Sequence, residues 1–134
     1  MLGQNCTFNL LALPVSDFPI LDNFNVHTTL EVSCSNFIKM TESTFFSVSS
    51  DETRYNLSGV YLYLQGKECC MASTDGHRLS VSVVEIANET SDFGVIVPQK
   101  TLEEIVKILK MPKNIQLMVQ ISLSFNRVKF VCNE

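Results

Sequence analysis

The residues with the most chemistry in this chain run from Ser73 through Thr74, Asp75, Gly76, His77 and Arg78 to Leu79. They separate two apolar runs, Cys69 to Ala72 on one side and Leu79, Val81, Val83 and Val84 on the other. Asp-Gly between apolar runs signals a tight hairpin, because glycine accepts the positive φ that such a turn requires. Taken alone, a polar Asp-Gly turn is only a turn. The residues leaving it add a function: a donor-rich guanidinium and an apolar side chain start the next strand together. That pairing suits a small groove for a peptide carrying both apolar and acidic or carbonyl groups.

A different chemistry is conceivable at the same place, with His77 as base, Asp75 as its orienter and Ser73 or a cysteine as nucleophile. Such a hydrolase needs the base within reach of the nucleophile, and residues packed into one turn diverge instead. His27, the other histidine, sits in an alternating apolar pattern and reads as structural. The five cysteines include the adjacent pair Cys69 and Cys70 but no C-x-x-C spacing. That pattern favours neither a disulfide framework nor a zinc site, and reduced, largely inert thiols are expected. No motif suggests a metal, nucleotide or organic cofactor.

These residues need a scaffold, and 134 residues with 46% hydrophobic content make one domain. The net charge of -4 and pI near 5.1 oppose general attraction to nucleic acid, leaving only local Lys and Arg clusters for that purpose. The first residues lack a basic start and a long apolar core, so no signal peptide is read, and no stretch is long enough to span a membrane. The N-x-S/T triplets at Asn5, Asn56 and Asn88 read as chance matches. Alternating β-branched residues predict strands at about 6–13, 26–32, 57–65, 68–73, 78–86, 94–97, 115–121 and 127–132. Residues 14–25, with Pro14 and Pro19, read as an extended connector.

Two segments carry a helical period instead. The first starts at Ser33 or Ser35 as N-cap and runs through Phe37, Ile38, Met40, Thr41 and Phe45 to Phe46. The second has Pro98 in its first turn, places Leu102, Ile105, Val106 and Leu109 on one face, and ends before Met111-Pro112. Its polar face carries Lys100, Glu103, Glu104, Lys107 and Lys110. That face reads either as solvated, with a Glu103 to Lys107 pair at i,i+4, or as flexible charge offered to phosphates.

Four blocks of the chain together resemble the bacterial sliding clamp family, the β subunit of DNA polymerase III, in its middle domain. They are Leu13-Pro14-Val15-Ser16-Asp17-Phe18-Pro19, the stretch 46–60 containing Asp51-Glu52-Thr53-Arg54-Tyr55-Asn56-Leu57, then Ala72-Ser73-Thr74-Asp75-Gly76-His77-Arg78-Leu79, and Val95-Ile96-Val97-Pro98-Gln99-Lys100. Their order and spacing match the family over nearly the whole chain. The resemblance implies an α+β DNA-clamp domain, with two helices packed on antiparallel β-sheets. It also implies a non-catalytic, cytoplasmic processivity factor that encircles duplex DNA, works as a homodimeric ring, and recruits polymerase, clamp loader and repair proteins through short linear peptides.

By the same resemblance, Leu57, Thr74, Gly76, His77, Arg78 and Leu79 line the peptide pocket, whereas on residue type alone Leu57 and Leu79 read as core. Arg54, Tyr55, Lys100, Lys107 and Lys110 face DNA. For Arg54 and Tyr55 a plain solvated loop is the competing reading, and Asn56 stands where some relatives have a second aromatic. Residues 1–25 correspond to the end of a preceding clamp domain and its connector. Residues 26–134 correspond to the central domain without its C-terminal end, which would leave a sheet edge open near 127–132 and no interface for ring closure. A stand-alone peptide-binding adaptor is the alternative that shares the pocket and lacks the DNA role.

Overall fold

The computed structural model describes residues 2–3, 6–7, 9–18, 25–51, 53–112, 114 and 116–132. Asn5, Phe8, residues 19–24 and Ile115, on which parts of the expectations above fell, lie outside the described residues. The N-terminal residues form two short paired strands, β1 (Leu2–Gly3) and β2 (Cys6–Thr7). The strand expected over 6–13 is therefore confined to its start, and residues 9–13 have no regular structure. In the connector Val15–Asp17 forms a single 3-10 turn rather than extended chain, closed by the Asp17 N–H donating to Pro14 O at 3.1 Å.

From β3 onward the chain alternates strands and helices. In β3 (Thr28–Ser33) Leu30 and Val32 are buried while Thr29 and Glu31 are exposed, the period of a half-buried strand. The strand stops at Ser33, whose hydroxyl accepts the Asn36 N–H at 3.2 Å and so caps α1 (Cys34–Phe45). Cys34, Phe37, Met40, Thr41 and Thr44 recur at helical spacing and are buried. Two of these are hydroxyls in a dry interior, and the helix satisfies both: Thr41 donates to Phe37 O at 2.8 Å and Thr44 to Met40 O at 3.0 Å.

After a turn-rich segment come the two long strands β4 (Gly59–Thr74) and β5 (Leu79–Pro98), paired antiparallel from Gly59↔Pro98 to Thr74↔Leu79. The strands expected separately over 57–65 and 68–73 merge into β4, and those over 78–86 and 94–97 merge into β5. Leu57 and Arg78 fall outside both. The anticipated break survives as register shifts around Gly66, whose φ of +56° only glycine adopts cheaply. Across it the buried set changes parity, from Val60, Leu62 and Leu64 to Cys69, Met71 and Ser73.

Helix α2 (Gln99–Leu109) comes next, with Pro98 as its N-cap rather than inside its first turn, and buries Leu102, Val106 and Leu109. The last strands are β6 (Met118–Leu123) and β7 (Val128–Cys132). They extend β3 into a three-stranded antiparallel sheet of order β3-β6-β7, with Leu30↔Ile121 and Ile121↔Phe130 in register. The strand entering each helix pairs with the strand leaving the other: β3 with β6, and the end of β5 with the start of β4. The two strand–helix–strand units thus interlock, and α1, α2 and both sheets share one core centred on Phe37, Met40, Leu62, Leu102 and Ile121.

Phe37 is fully buried and meets the Phe130 ring edge-on at 5.6 Å, bridging α1 to β7. Replacing it by alanine leaves a cavity that a close-packed interior does not refill. Phe37→Ala is expected to cost about 3–5 kcal/mol in urea unfolding; a loss below about 1 kcal/mol would show that this core repacks freely.

Candidate functional site

The turn joining β4 to β5 ties itself together. Gly76 sits at a φ of +92°, which lets the chain reverse between Thr74 and Leu79. Asp75 Oδ1 accepts the backbone N–H groups of His77 at 2.9 Å and Arg78 at 3.1 Å, and its Oδ2 accepts Arg78 Nε at 2.9 Å. Thr74 Oγ1 donates to Arg78 O at 2.7 Å and accepts the Gly76 N–H at 3.1 Å. The His77 N–H foremost, with the Arg78 N–H and guanidinium, holds the Asp75 carboxyl down at about 2. With its Nε committed to Asp75, the Arg78 guanidinium lies 5.7 Å from the centre of the Phe46 ring.

Phe46 lies just past the end of α1 and is 60% exposed, so the helix delivers an aromatic platform to the turn. The pattern of residue types did not reveal that role, since Phe46 reads simply as the end of an apolar period. Nor did the sequence place Arg54 here. Arg54 Nη1 lies 3.7 Å from where a Cβ on Gly76 would sit, so the loop expected to face DNA abuts the turn. That loop is ordered by Asp51, which accepts Thr53 N–H at 3.0 Å and Thr53 Oγ1 at 2.6 Å and pairs with Arg54 Nε at 3.4 Å. Leu57, half-buried, closes the segment: its N–H donates to Arg54 O at 2.8 Å and its carbonyl accepts the Ser49 N–H at 3.0 Å. Tyr55 is exposed.

Strand β5 leaves the turn with its polarity inverted. Ser80 points inward, where its Oγ lies 2.6 Å from Ser47 Oγ, and neighbouring Ser73 donates to Thr44 O at the end of α1. Leu79, Val81 and Val83 consequently point out, 68%, 57% and 49% exposed. Their cross-strand partners are Thr74, Ala72 and Cys70, so an apolar stripe runs from the turn along the outer face. Leu79 is thereby a surface residue and not core. The stripe at Val81 and Val83 was missed because Leu-Ser-Val-Ser-Val reads from its pattern as a strand with the apolar set inward.

A hydrolytic triad is not assembled. Ser73 Oγ is buried and spent on Thr44 O, and Asp75 is spent on the turn and on Arg78. His77 is exposed, and among the described residues no hydrogen bond joins its ring to either group. Burial pushes the Cys34 thiol up to about 11 and the Cys69 thiol to about 12, so neither is a ready nucleophile. His27 stacks on Phe93 at 4.5 Å, a packing role.

Along α2 and its C-cap residue, Lys100, Lys107 and Lys110 fall within roughly 80° of one another around the helix axis at 3.6 residues per turn. Lys107 Nζ pairs with Glu104 at 2.7 Å and not with Glu103, whose carboxylate accepts from Gln99 Nε2 at 3.0 Å. Lys110 Nζ pairs with Glu42 at 2.5 Å, joining the two helices. Lys100 is exposed and makes no ion pair among the described residues. With Lys39 added, these lysines are set against Glu42, Glu103 and Glu104, and the helical layer is close to neutral although the chain carries -4. No helix among the described residues is long and apolar enough to cross a membrane.

The family model for the DNA polymerase III beta subunit, central domain, matches residues 31–134. The chain is 57% identical over 132 residues to the beta sliding clamp of Rickettsia felis, covering 98% of this chain and 35% of that protein. It thus spans about a third of the length of such relatives. Among solved structures, the sliding clamp of Pseudomonas aeruginosa bound to griselimycin superposes with a TM-score of 0.82 at 25% identity, over 90% of this chain and 32% of that one. The DNA polymerase sliding clamp of Bacillus subtilis gives 0.80 at 28% identity, over 89% and 31%.

Because the folded Asp75 carboxyl titrates at about 2 against 3.8 ordinarily, its contribution to the turn is complete above pH 3.8 and disappears as pH falls through 2. Carbon-detected titration of Asp75 should show that low midpoint. Asp75→Asn keeps the oxygen that accepts the turn amides but frees the guanidinium, so Arg78 Nε–H should exchange faster while the turn amides shift little. A midpoint near 3.8 would show that the carboxylate is held neither by the turn amides, His77 N–H foremost, nor by Arg78.

Proposed function

The chain belongs to the DNA polymerase III beta subunit family, and on that footing we propose that it acts as the middle portion of a sliding clamp. Such a clamp is a non-catalytic processivity factor that encircles duplex DNA and recruits polymerase, clamp loader and repair proteins. In this reading residues 1–25 end a preceding domain and form the connector, residues 26–134 form the central domain, the working assembly is a homodimeric ring, and the protein acts in the cytoplasm. The observation that carries it is the self-tied turn with Leu79 exposed beside a guanidinium fixed by Asp75 and Phe46.

A peptide groove needs an apolar contact and a polar contact that do not have to be ordered at the moment of binding. Leu57 and Leu79 supply apolar walls, Thr74 and Gly76 the close backbone, and His77 and Arg78 the polar frame. Arg54, lodged beside Gly76, belongs to this site as much as to a DNA-facing loop. The lysines of α2 suit a ring that slides. Flexible charges attract phosphates over about 8 Å at physiological salt without reading base edges. The partnering of Lys107 and Lys110 weakens that attraction and leaves Lys100 the most available charge, with Tyr55 exposed nearby in sequence to Arg54. The same partnering is what a peptide-binding adaptor without a DNA role would show. Lys100→Glu in the full-length protein separates the two readings, since only a clamp loses retention on circular DNA.

Amide-shift titration with a peptide of the pattern Gln-x-x-Leu-Phe tests the pocket. Shifts should concentrate at Leu57 and at 74–79, vanish in Leu79→Ala, and weaken in Phe46→Ala by roughly 2- to 5-fold in Kd if the ring–guanidinium contact contributes about 0.5–1 kcal/mol. A well-dispersed spectrum without shifts would remove the peptide site from this chain.

A further inference from the structure

Two thiols stand apart from the proposed pocket. Cys34 is the first residue of α1 and fully buried; Cys132 is the last residue of β7 and half-buried; their Sγ atoms lie 3.8 Å apart. Both are reduced. They come from positions separated by 98 residues and meet because β3 turns directly into α1 over the sheet in which β7 is the outermost strand. The Cys34 N–H donates to Leu117 O at 2.9 Å, which holds this end of the helix on the segment leading into β6.

We propose that Cys34 and Cys132 form a redox-sensitive pair that a peroxide converts reversibly into an intramolecular disulfide, fastening the end of β7 to the first turn of α1. A disulfide places its sulfurs about 2.05 Å apart, so the pair must close by about 1.8 Å. Side-chain rotation can supply part of that movement, and β7, paired among the described residues only with β6, can supply the rest. Cys69 and Cys70 offer no such pair, since they are successive on β4 and only Cys69 is fully buried.

Exposure sets the order of events. The Cys132 sulfur, the more accessible, attacks one peroxide oxygen as its thiolate; the O–O bond breaks, leaving a sulfenic acid and releasing water after proton uptake. The Cys34 sulfur then displaces the hydroxyl from the Cys132 sulfur, giving up its own proton, and a second water departs. Two thiols and one hydrogen peroxide become one disulfide and two waters, each sulfur losing one electron. Burial and the neighbouring Cys132 keep the Cys34 thiol up at about 11, which bars it from the first step; in the second, its 3.8 Å approach to the Cys132 sulfur makes up for the small thiolate fraction.

The test treats the 134-residue chain with hydrogen peroxide, blocks remaining thiols by alkylation and maps the peptides. Expected are a loss of two hydrogens in the intact mass, a single crosslinked species joining the Cys34 and Cys132 peptides, and full reversal by dithiothreitol. The oxidised chain should also show a higher denaturation midpoint, because the crosslink closes a long loop in the unfolded chain. Cys132→Ser should lose all of these. Advance of Cys132 to the sulfinic acid while Cys34 stays alkylatable would overturn the proposal, as would a crosslink mapped to Cys69 and Cys70. The mapping uses the unmodified sequence, so the outcome does not depend on whether a variant folds.

Discussion

The inward direction of Ser80 is the constraint on which the functional surface depends. A strand alternates its faces with a period of two, so one residue's direction decides all of its neighbours'. Ser80 is drawn in by Ser47, and Ser73 on the facing strand is drawn to the last carbonyls of α1. These hydroxyl contacts form a buried polar seam between the helix and the β4–β5 pair, and a buried hydroxyl without a partner would cost about 1–3 kcal/mol. With the seam satisfied, Leu79, Val81 and Val83 have no inward position to occupy. In the alternative register Val84 and Ile86 would leave the core as well, so the seam and these two inward side chains together hold the apolar stripe at the surface.

The seam also positions the turn chemistry. It anchors the C-terminal end of α1 beside the start of β5, which brings Phe46 under the Arg78 guanidinium. Asp75 acts at shorter range, accepting from two backbone amides and one side chain. Arg78 is therefore restrained twice, by local hydrogen bonds and by tertiary packing, and less of its rotamer freedom remains to be lost on binding a ligand. The α2 lysines are organised on the opposite principle. Their partners are exposed carboxylates, and such ion pairs stabilise by no more than about 1 kcal/mol, so the charges remain exchangeable.

Much of this architecture was legible in the chain. Both helices were found from their apolar period, α1 with Ser33 as one of two candidate caps and α2 with its buried Leu102, Val106 and Leu109. Local rules sufficed, because a cap and a 3.6-residue stripe are properties of neighbouring residues. The Asp-Gly turn was equally local, and Gly76 takes the positive φ anticipated for it. Strand ends were less legible. β4 and β5 each absorbed two expected strands, since continuity across Gly66 depends on the facing strand and not on the residue itself.

By itself, then, the sequence determined an α+β domain with two amphipathic helices, a tight polar turn and, through its four blocks, kinship with the sliding clamps. Tertiary structure alone decided which way β5 faces, that Phe46 and Arg54 join the turn, that Lys107 takes Glu104 while Lys110 reaches across to Glu42, and that Cys34 meets Cys132. The physical reason is the range of the interactions involved. Propensity, capping and turn chemistry act over a few neighbouring residues, whereas strand register, platform contacts and thiol proximity are set by which distant segments the core brings together.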